Sequence, residues 1–162
     1  MAQQYQFQQL TPTLPEVLNV VTAVFGVAGE EFSSKDVNKA VKMANDGASY
    51  ILCVDGQDIE GFVDSVNVAP MNSIANTDGT FTLRRGGGVR RNPMHRETVT
   101  VAAGSEKVAC LDYVVAAAQL KVGVAGLAQV KKGTPVRHFW RVINILSGNG
   151  EAGSTVLIER DN

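Results

Sequence analysis

The amino-acid sequence predicts a mainly β protein: a small β-barrel or sandwich with an extended N-terminal arm and at most one short helix. Short apolar runs recur after residue 97, and glycine-rich turns separate them. An Asp-Gly turn signal also follows an apolar run at residues 50–54. The 162 residues are enough to bury one core. We therefore expect an arm and connecting segment over residues 1–28 and a β-barrel domain over 29–162.

The N-terminal residues 1–15 carry no charge and contain five glutamines and two prolines. Such a segment is typical either of a floppy terminus or of an arm that becomes ordered on a neighbouring subunit by adding a strand. In the second interpretation, Tyr5, Phe7 and Leu10 are the apolar anchors of the arm.

Two later segments have both helical and extended features. Residues 14–27 follow a capping-box spacing, but their valines favour extended structure, which we expect here. Residues 33–47 begin with a second capping box, formed by Ser33 and Asp36, and continue with apolar residues at helical spacing. They could instead form a turn followed by a short strand at 39–43.

The remaining pattern predicts strands and turns. Residues 49–68 have the pattern of a hairpin, in which Gly61 indicates a bulge or a close backbone approach. Residues 69–79 are polar and predict a loop. Trp140 is expected to anchor the core of a C-terminal hairpin on the same face as Val142. Further strands are expected at 80–83, 98–101, 108–115, 120–125, 136–146 and 154–159.

The stretch 84–96 is strongly basic and contains no acid. The rest of the chain holds ten basic and sixteen acidic residues, an asymmetry that favours contact between unlike surfaces. Three consecutive glycines indicate an irregular loop, and arginines so close together would repel one another without a partner that carries carboxylates. The arginines are Arg84, Arg85, Arg90, Arg91 and Arg96.

The same loop could cradle a phosphate, because glycines free backbone N–H groups and arginines supply forked donors. It lacks the Gly-Lys-Ser/Thr of a P-loop, and residues 83–101 contain no Phe, Tyr or Trp on which bases could stack. The net charge of −1 also gives the whole chain no general attraction to nucleic acid. Docking to protein is therefore the favoured role of the loop.

Candidate catalytic and metal-binding residues are few. Cys53 and Cys110 lie in apolar runs and are expected to be buried free thiols. His95 and His138 have no neighbouring nucleophile and no further ligands at metal-binding spacing. We expect no catalytic residue, cofactor or metal, and hence no enzyme. The N-terminal residues lack the pattern of a secretory signal, and no apolar run is long enough for a membrane helix.

The order of the pieces resembles a known group of proteins. A turn and strand, DVNKAVKM, precede YILCVDGQDIEGFVDSV, the basic glycine-rich loop, LDYVV, WRVINIL and STVLIER. This order, over residues 30–160, is similar to that of the small β-barrel decoration (cement) proteins of tailed-bacteriophage capsids. The arginine cluster is denser than in that pattern. The resemblance also favours a turn and strand, not a helix, at residues 34–44.

The resemblance implies a non-catalytic structural protein of the virion. It would be a homotrimer that stabilises the capsid by binding neighbouring capsomers of the major capsid protein through arms and loops. Its place would be the capsid surface, after assembly in the host cytoplasm. The alternative, from another functional class, is a small barrel that binds nucleic acid or a phosphorylated ligand through the 84–96 arginine loop.

Overall fold

The computed structural model describes residues 20–25, 31–45, 47–75, 81–91 and 95–161, with the backbone alone described at 20–24, 68–75 and 81–84. These residues form two closed five-stranded β-barrels, which confirms the mainly β fold class. The only helical element among them is a 3₁₀ turn, Ser34–Asp36. The strands are β1 Val20–Phe25, β2 Ala40–Met43, β3 Tyr50–Leu52, β4 Gly61–Ala75, β5 Phe81–Arg90, β6 Arg96–Val101, β7 Tyr113–Ala116, β8 Gln129–Lys132, β9 Trp140–Ser147 and β10 Thr155–Arg160.

The first barrel has the strand order β1-β3-β2-β4-β5 and closes where β5 pairs with β1. All its pairs are antiparallel except β1 with β3. β1 confirms the extended structure expected within residues 14–27. It also places residues 20–25 in a barrel, although they lie in the segment 1–28 that was assigned from sequence to the arm and its connection.

The second barrel has the order β10-β6-β8-β7-β9 and closes where β9 pairs with β10. The expected C-terminal hairpin is thereby confirmed, and Trp140 and Val142 both point into the core. The strand expected at 120–125 is absent. The Gln119 side chain instead holds this loop by bonding the Gln129 backbone at both its N–H and its carbonyl group.

The hairpin expected over residues 49–68 is wrong, because β2 lies between β3 and β4 and pairs with both. The turn after β3 is held by the other barrel. Gly56 N–H donates to the Ala116 carbonyl, and Ala116 N–H donates to the Gln57 carbonyl. A local pattern cannot reveal this arrangement, since the strand that separates β3 from β4 precedes them both in the chain.

The helix considered over residues 33–47 is also wrong, and the alternative of a turn and a strand is confirmed. The capping box does form: Ser33 Oγ accepts from Lys35 N–H, and the Asp36 carboxylate accepts from Ser33 N–H. Helical geometry then ends at Val37, where ψ is 141°. Asn38 follows with φ +71°, in the left-handed region that asparagine tolerates better than most residues.

The polar loop expected at 69–79 and the irregular loop expected at 84–96 are wrong where the structure describes them. β4 continues to Ala75, and β5 includes the three glycines. A Cβ atom on Gly87 would collide with the Ser65 carbonyl oxygen and lie 2.9 Å from the Phe25 ring. The glycines therefore permit close packing inside a barrel wall. Gly61 makes the expected close approach, since its Cβ would lie 2.6 Å from the Arg90 carbonyl oxygen.

One buried apolar cluster continues from one barrel into the other, and the first barrel also has a separate cluster of its own, which includes Phe25, Phe32 and Tyr50. The larger cluster of buried apolar side chains combines Phe62 and Ile59, from the first barrel, with Trp140 and its neighbours in the second. The Trp140 ring meets Phe62 edge to face with ring centroids 4.9 Å apart, and its Nε1 donates to the Ile59 carbonyl at 2.8 Å. Cys53 belongs to this cluster, and burial raises its pKa to about 12. Cys110 is also a free thiol but is exposed, contrary to expectation.

We expect Trp140→Ala to lower the free energy of unfolding by about 3–5 kcal/mol, because the ring fills a fully buried site between the barrels. Trp140→Phe keeps much of the apolar contact but leaves the Ile59 carbonyl without its donor, so we expect a smaller loss of about 1–3 kcal/mol. Denaturant unfolding measures both changes. A Trp140→Ala protein as stable as wild type would mean that this ring does not hold the barrels together.

Candidate functional site: the junction between the barrels

The residues predicted to bind partners fall into three groups. Tyr5, Phe7 and Leu10 lie outside the described residues. Arg84 is described only by its backbone, in β5. The side chains of the other four arginines, Arg85, Arg90, Arg91 and Arg96, are described.

Each of these four arginines binds a carboxylate of its own chain. Arg85 pairs with Glu31 at 2.5 Å at the edge of the first barrel. Arg96, which is largely exposed, pairs at 2.8 Å with Glu159, a buried carboxylate of the second barrel that Arg141 also contacts at 3.5 Å. Repulsion among the arginines is thus relieved within the chain, and it no longer requires an acidic partner. Docking through these arginines stays a prediction.

Arg90 connects the two barrels directly. Its guanidinium donates to Asp64 at 2.9 Å and to Asn38 at 2.7 Å, both in the first barrel. It also donates at 2.8 Å to Glu97, a buried carboxylate on β6 of the second barrel. The other oxygen of Glu97 lies 2.7 Å from His95 Nε2. The sequence predicts a loop around Arg90, whereas in the structure Arg90 ends β5 and its side chain binds acids of both barrels.

A second contact between the barrels surrounds Arg160, on β10. One guanidinium nitrogen donates to the Glu60 carbonyl at 3.2 Å and to the Arg91 carbonyl, both in the first barrel. The other nitrogen lies 2.9 Å from His138 Nδ1. The Arg91 side chain pairs with the Glu60 carboxylate at 2.8 Å. Arg160 therefore reaches across the junction to backbone groups of the opposite barrel.

Asp58 holds the chain that leads into β9. Its carboxylate accepts from the backbone N–H groups of Val136, Arg137 and His138, the shortest bond being 2.6 Å. Partial burial acts to raise the pKa of Asp58, but the three N–H donors outweigh it and lower that pKa. An acid on a turn usually lies in solvent, and only the distant backbone that Asp58 binds gives it a structural role.

A further contact between the barrels is made by a fully buried ion pair. Lys39 Nζ lies 2.6 Å from Asp36 Oδ1 and also donates to the Lys121 carbonyl at 2.6 Å. Asp36 in turn accepts from Gly123 N–H at 2.8 Å. The capping box visible in the sequence thus anchors a loop of the second barrel. The burial of Lys39 has no local signal, since a lysine at this spacing usually lies in solvent.

The contacts described above join the two barrels. Within the described parts of the chain, no group of three or more His, Cys, Asp or Glu side chains could hold a metal ion. His95 and His138 are both engaged by charged side chains at the junction. Among the described residues, no helix is long and apolar enough to cross a membrane.

Comparison of the chain with protein-family models, with curated proteins and with solved structures finds no match. The resemblance to capsid decoration proteins therefore depends on the sequence pattern alone.

We expect Lys39→Met to lower the free energy of unfolding by about 3–5 kcal/mol, because it leaves the Asp36 carboxylate buried without its cation. The double variant Asp36→Leu/Lys39→Met removes both charges and should cost less than the sum of the single changes. Asp55→Asn is a matched control, since the Asp55–Lys131 pair also connects the barrels but is largely exposed. It should change stability by less than about 1 kcal/mol. Equal losses for Lys39→Met and Asp55→Asn in chemical denaturation would contradict a structural role for the buried pair.

Proposed function

We propose that the protein is a non-catalytic structural component of a bacteriophage virion that decorates and stabilises the capsid by binding neighbouring capsomers of the major capsid protein. The observation that carries the proposal is a two-stranded ribbon that extends beyond the first barrel. It consists of residues 71–75 of β4 and 81–84 of β5. The protein would act at the capsid surface as a homotrimer, after assembly in the host cytoplasm.

The ribbon follows from where the neighbouring strands stop. β2 pairs with β4 only at Gly61 and Phe62, and β1 pairs with β5 no farther than Arg85. Beyond these points β4 and β5 continue to pair with each other as far as Ala75 and Phe81. No described strand pairs with the outer edges of the ribbon. Such edges offer backbone N–H and carbonyl groups to a partner, and an isolated pair of strands is only marginally stable alone.

The composition of the ribbon favours a protein surface as that partner. The ribbon residues 71–75 and 81–84 include a single charged residue, Arg84, and residues 1–15 include none. Contacts made by such segments depend on backbone hydrogen bonds and apolar side chains, as in strand addition. A trimer presenting three ribbons and three arms to a repeating shell would gain avidity from many weak contacts.

The alternative, a module for nucleic acid or a phosphorylated ligand, has less support. Arg85, Arg90, Arg91 and Arg96 all pair with carboxylates of the chain. A phosphate would have to displace these carboxylates, including the buried Glu97, before it could bind the guanidinium groups. No specific contact in the described residues favours that use.

A shortened ribbon tests the proposal. Replacing residues 71–84 by Asn-Gly joins Pro70 to Arg85, which already face each other in the ladder, through a two-residue turn. The barrel pairings remain, so we expect a melting temperature near that of wild type. Binding to purified undecorated shells, measured by co-sedimentation, should fall strongly. Deleting residues 2–12 should also reduce shell occupancy without loss of stability.

Arg96→Ser is the matched control, because this side chain is exposed and lies on the other barrel. It should leave shell occupancy unchanged, and wild-type binding should depend little on salt. Strong salt dependence together with loss of binding by Arg96→Ser would identify the arginines as the docking groups. Normal decoration by the shortened protein would contradict a role for the ribbon, and failure of wild type to bind any shell would contradict the proposed function.

A further inference from the structure

We propose that the contact between His138 and Arg160 is a proton-operated latch, which holds one side of the junction between the barrels closed when His138 is neutral and loosens that side when it is protonated. The inference concerns the isolated chain and does not depend on the proposed function. Its basis is the geometry around the imidazole ring, at the junction described above.

The contact between the His138 imidazole and Arg160 depends on whether the imidazole is neutral or protonated. Arg160 approaches His138 Nδ1 at 2.9 Å, and a guanidinium can only donate, so Nδ1 must be the unprotonated acceptor. The same guanidinium reaches across to the Glu60 and Arg91 carbonyls. A proton on Nδ1 would place two donors and two positive charges face to face. Arg160 would then have to withdraw from the ring, and its bonds to the opposite barrel would be strained or lost.

The proton has a route to the site. His138 lines a groove of about 380 Å³ between the barrels and is only partly buried. Groove walls come from both barrels, with Lys42 and Glu60 from the first and Arg137 from the second. Protonation therefore requires no prior unfolding, and solvent pH acts directly on the junction.

The charged groups facing the ring act in opposite directions. Burial and the nearby Arg160 lower the pKa of His138, with a smaller contribution from Arg91. Glu60 and Asp58 act to raise it but do not compensate. Because the folded-state pKa lies below the ordinary value of about 6.5, the contact is fully present above that pH. The contact is lost as the pH falls through the folded-state pKa of His138. Its free-energy contribution falls over this range because His138 binds a proton more readily in the unfolded chain than in the folded one.

The consequence is local, because the shared core does not titrate. Trp140 and Phe62 remain buried at either pH, and the Asp36–Lys39 pair lies in another part of the junction. Protonation of His138 should therefore loosen one side of the junction and leave each barrel folded. This side of the junction would be tight at neutral pH and loose at mildly acidic pH.

Two measurements on the full chain test the latch. The first is an NMR titration of the His138 imidazole, which should show a protonation midpoint below about 6.5 in wild type. In Arg160→Gln the midpoint should rise, because the neighbouring cation is gone. An unchanged midpoint in Arg160→Gln, or a wild-type midpoint at or above the ordinary value, would overturn the proposal.

The second measurement is amide hydrogen exchange, corrected for the intrinsic pH dependence, between pH 7.5 and 5. Exchange at residues 136–140 and 158–161 should increase as the pH falls, by up to about tenfold per pH unit, the limit for uptake of one proton. His138→Gln keeps an acceptor for Arg160 but cannot titrate, so its exchange should stay constant. His95→Gln, the control at the other histidine of the junction, should retain the wild-type response. If His138→Gln responds to pH as wild type does, some other group operates the joint and the latch is wrong.

Discussion

The shared core between the barrels is the constraint on which the other features depend. Trp140 comes from the second barrel, yet its ring packs on Phe62 and its indole N–H binds a carbonyl of the first. The first barrel also has a smaller buried cluster of its own, which includes Phe25 and Phe32. Burial of large side chains between the two barrels adds to the apolar area that each barrel buries among its own strands. Polar groups that are buried at the same boundary must then find partners across it, because they lose their contacts with water.

The charged residues meet that requirement by crossing the boundary. Lys39 is fully buried and binds both a carboxylate of its own barrel and a carbonyl of the other. Arg90 and Arg160 do the same with longer side chains, one reaching a carboxylate and the other two carbonyls. Buried ion pairs add little net stability over apolar residues, but they penalise any other alignment of the two surfaces. Their effect here is to fix how the barrels meet.

The sequence was sufficient for the features that depend on neighbouring residues. The alternation around Trp140, the C-terminal hairpin, the capping box at Ser33 and the close approach at Gly61 all appear in the structure as expected. Each depends on contacts that local spacing or residue type can indicate. Fold class followed from the same signals, since glycine-rich turns and short apolar runs recur along the chain.

The features that depend on distant residues could not be predicted. β2 lies between β3 and β4, so these two strands do not form the expected hairpin. The turn at Gly56 is held by a hydrogen bond to Ala116, which lies in the other barrel. Three consecutive glycines indicated a loop before Arg90. The groups that require glycine at position 87, the Ser65 carbonyl and the Phe25 ring, are remote in sequence and therefore could not be foreseen. Arg85 and Arg91 likewise lacked visible partners, since Glu31 and Glu60 lie far from them along the chain. The division of the strands into two barrels also depends on pairings between distant residues, so it could not be predicted either.

Scanning calorimetry of the wild-type protein at neutral pH tests most directly whether one core unites the barrels. Because the large side chains at the boundary belong to both barrels, neither should survive the loss of the other. We expect a single transition whose calorimetric enthalpy equals the van't Hoff enthalpy, as for a two-state unit of this size. Two separable transitions, or a calorimetric enthalpy about twice the van't Hoff value, would show that the barrels unfold independently and would contradict the shared core.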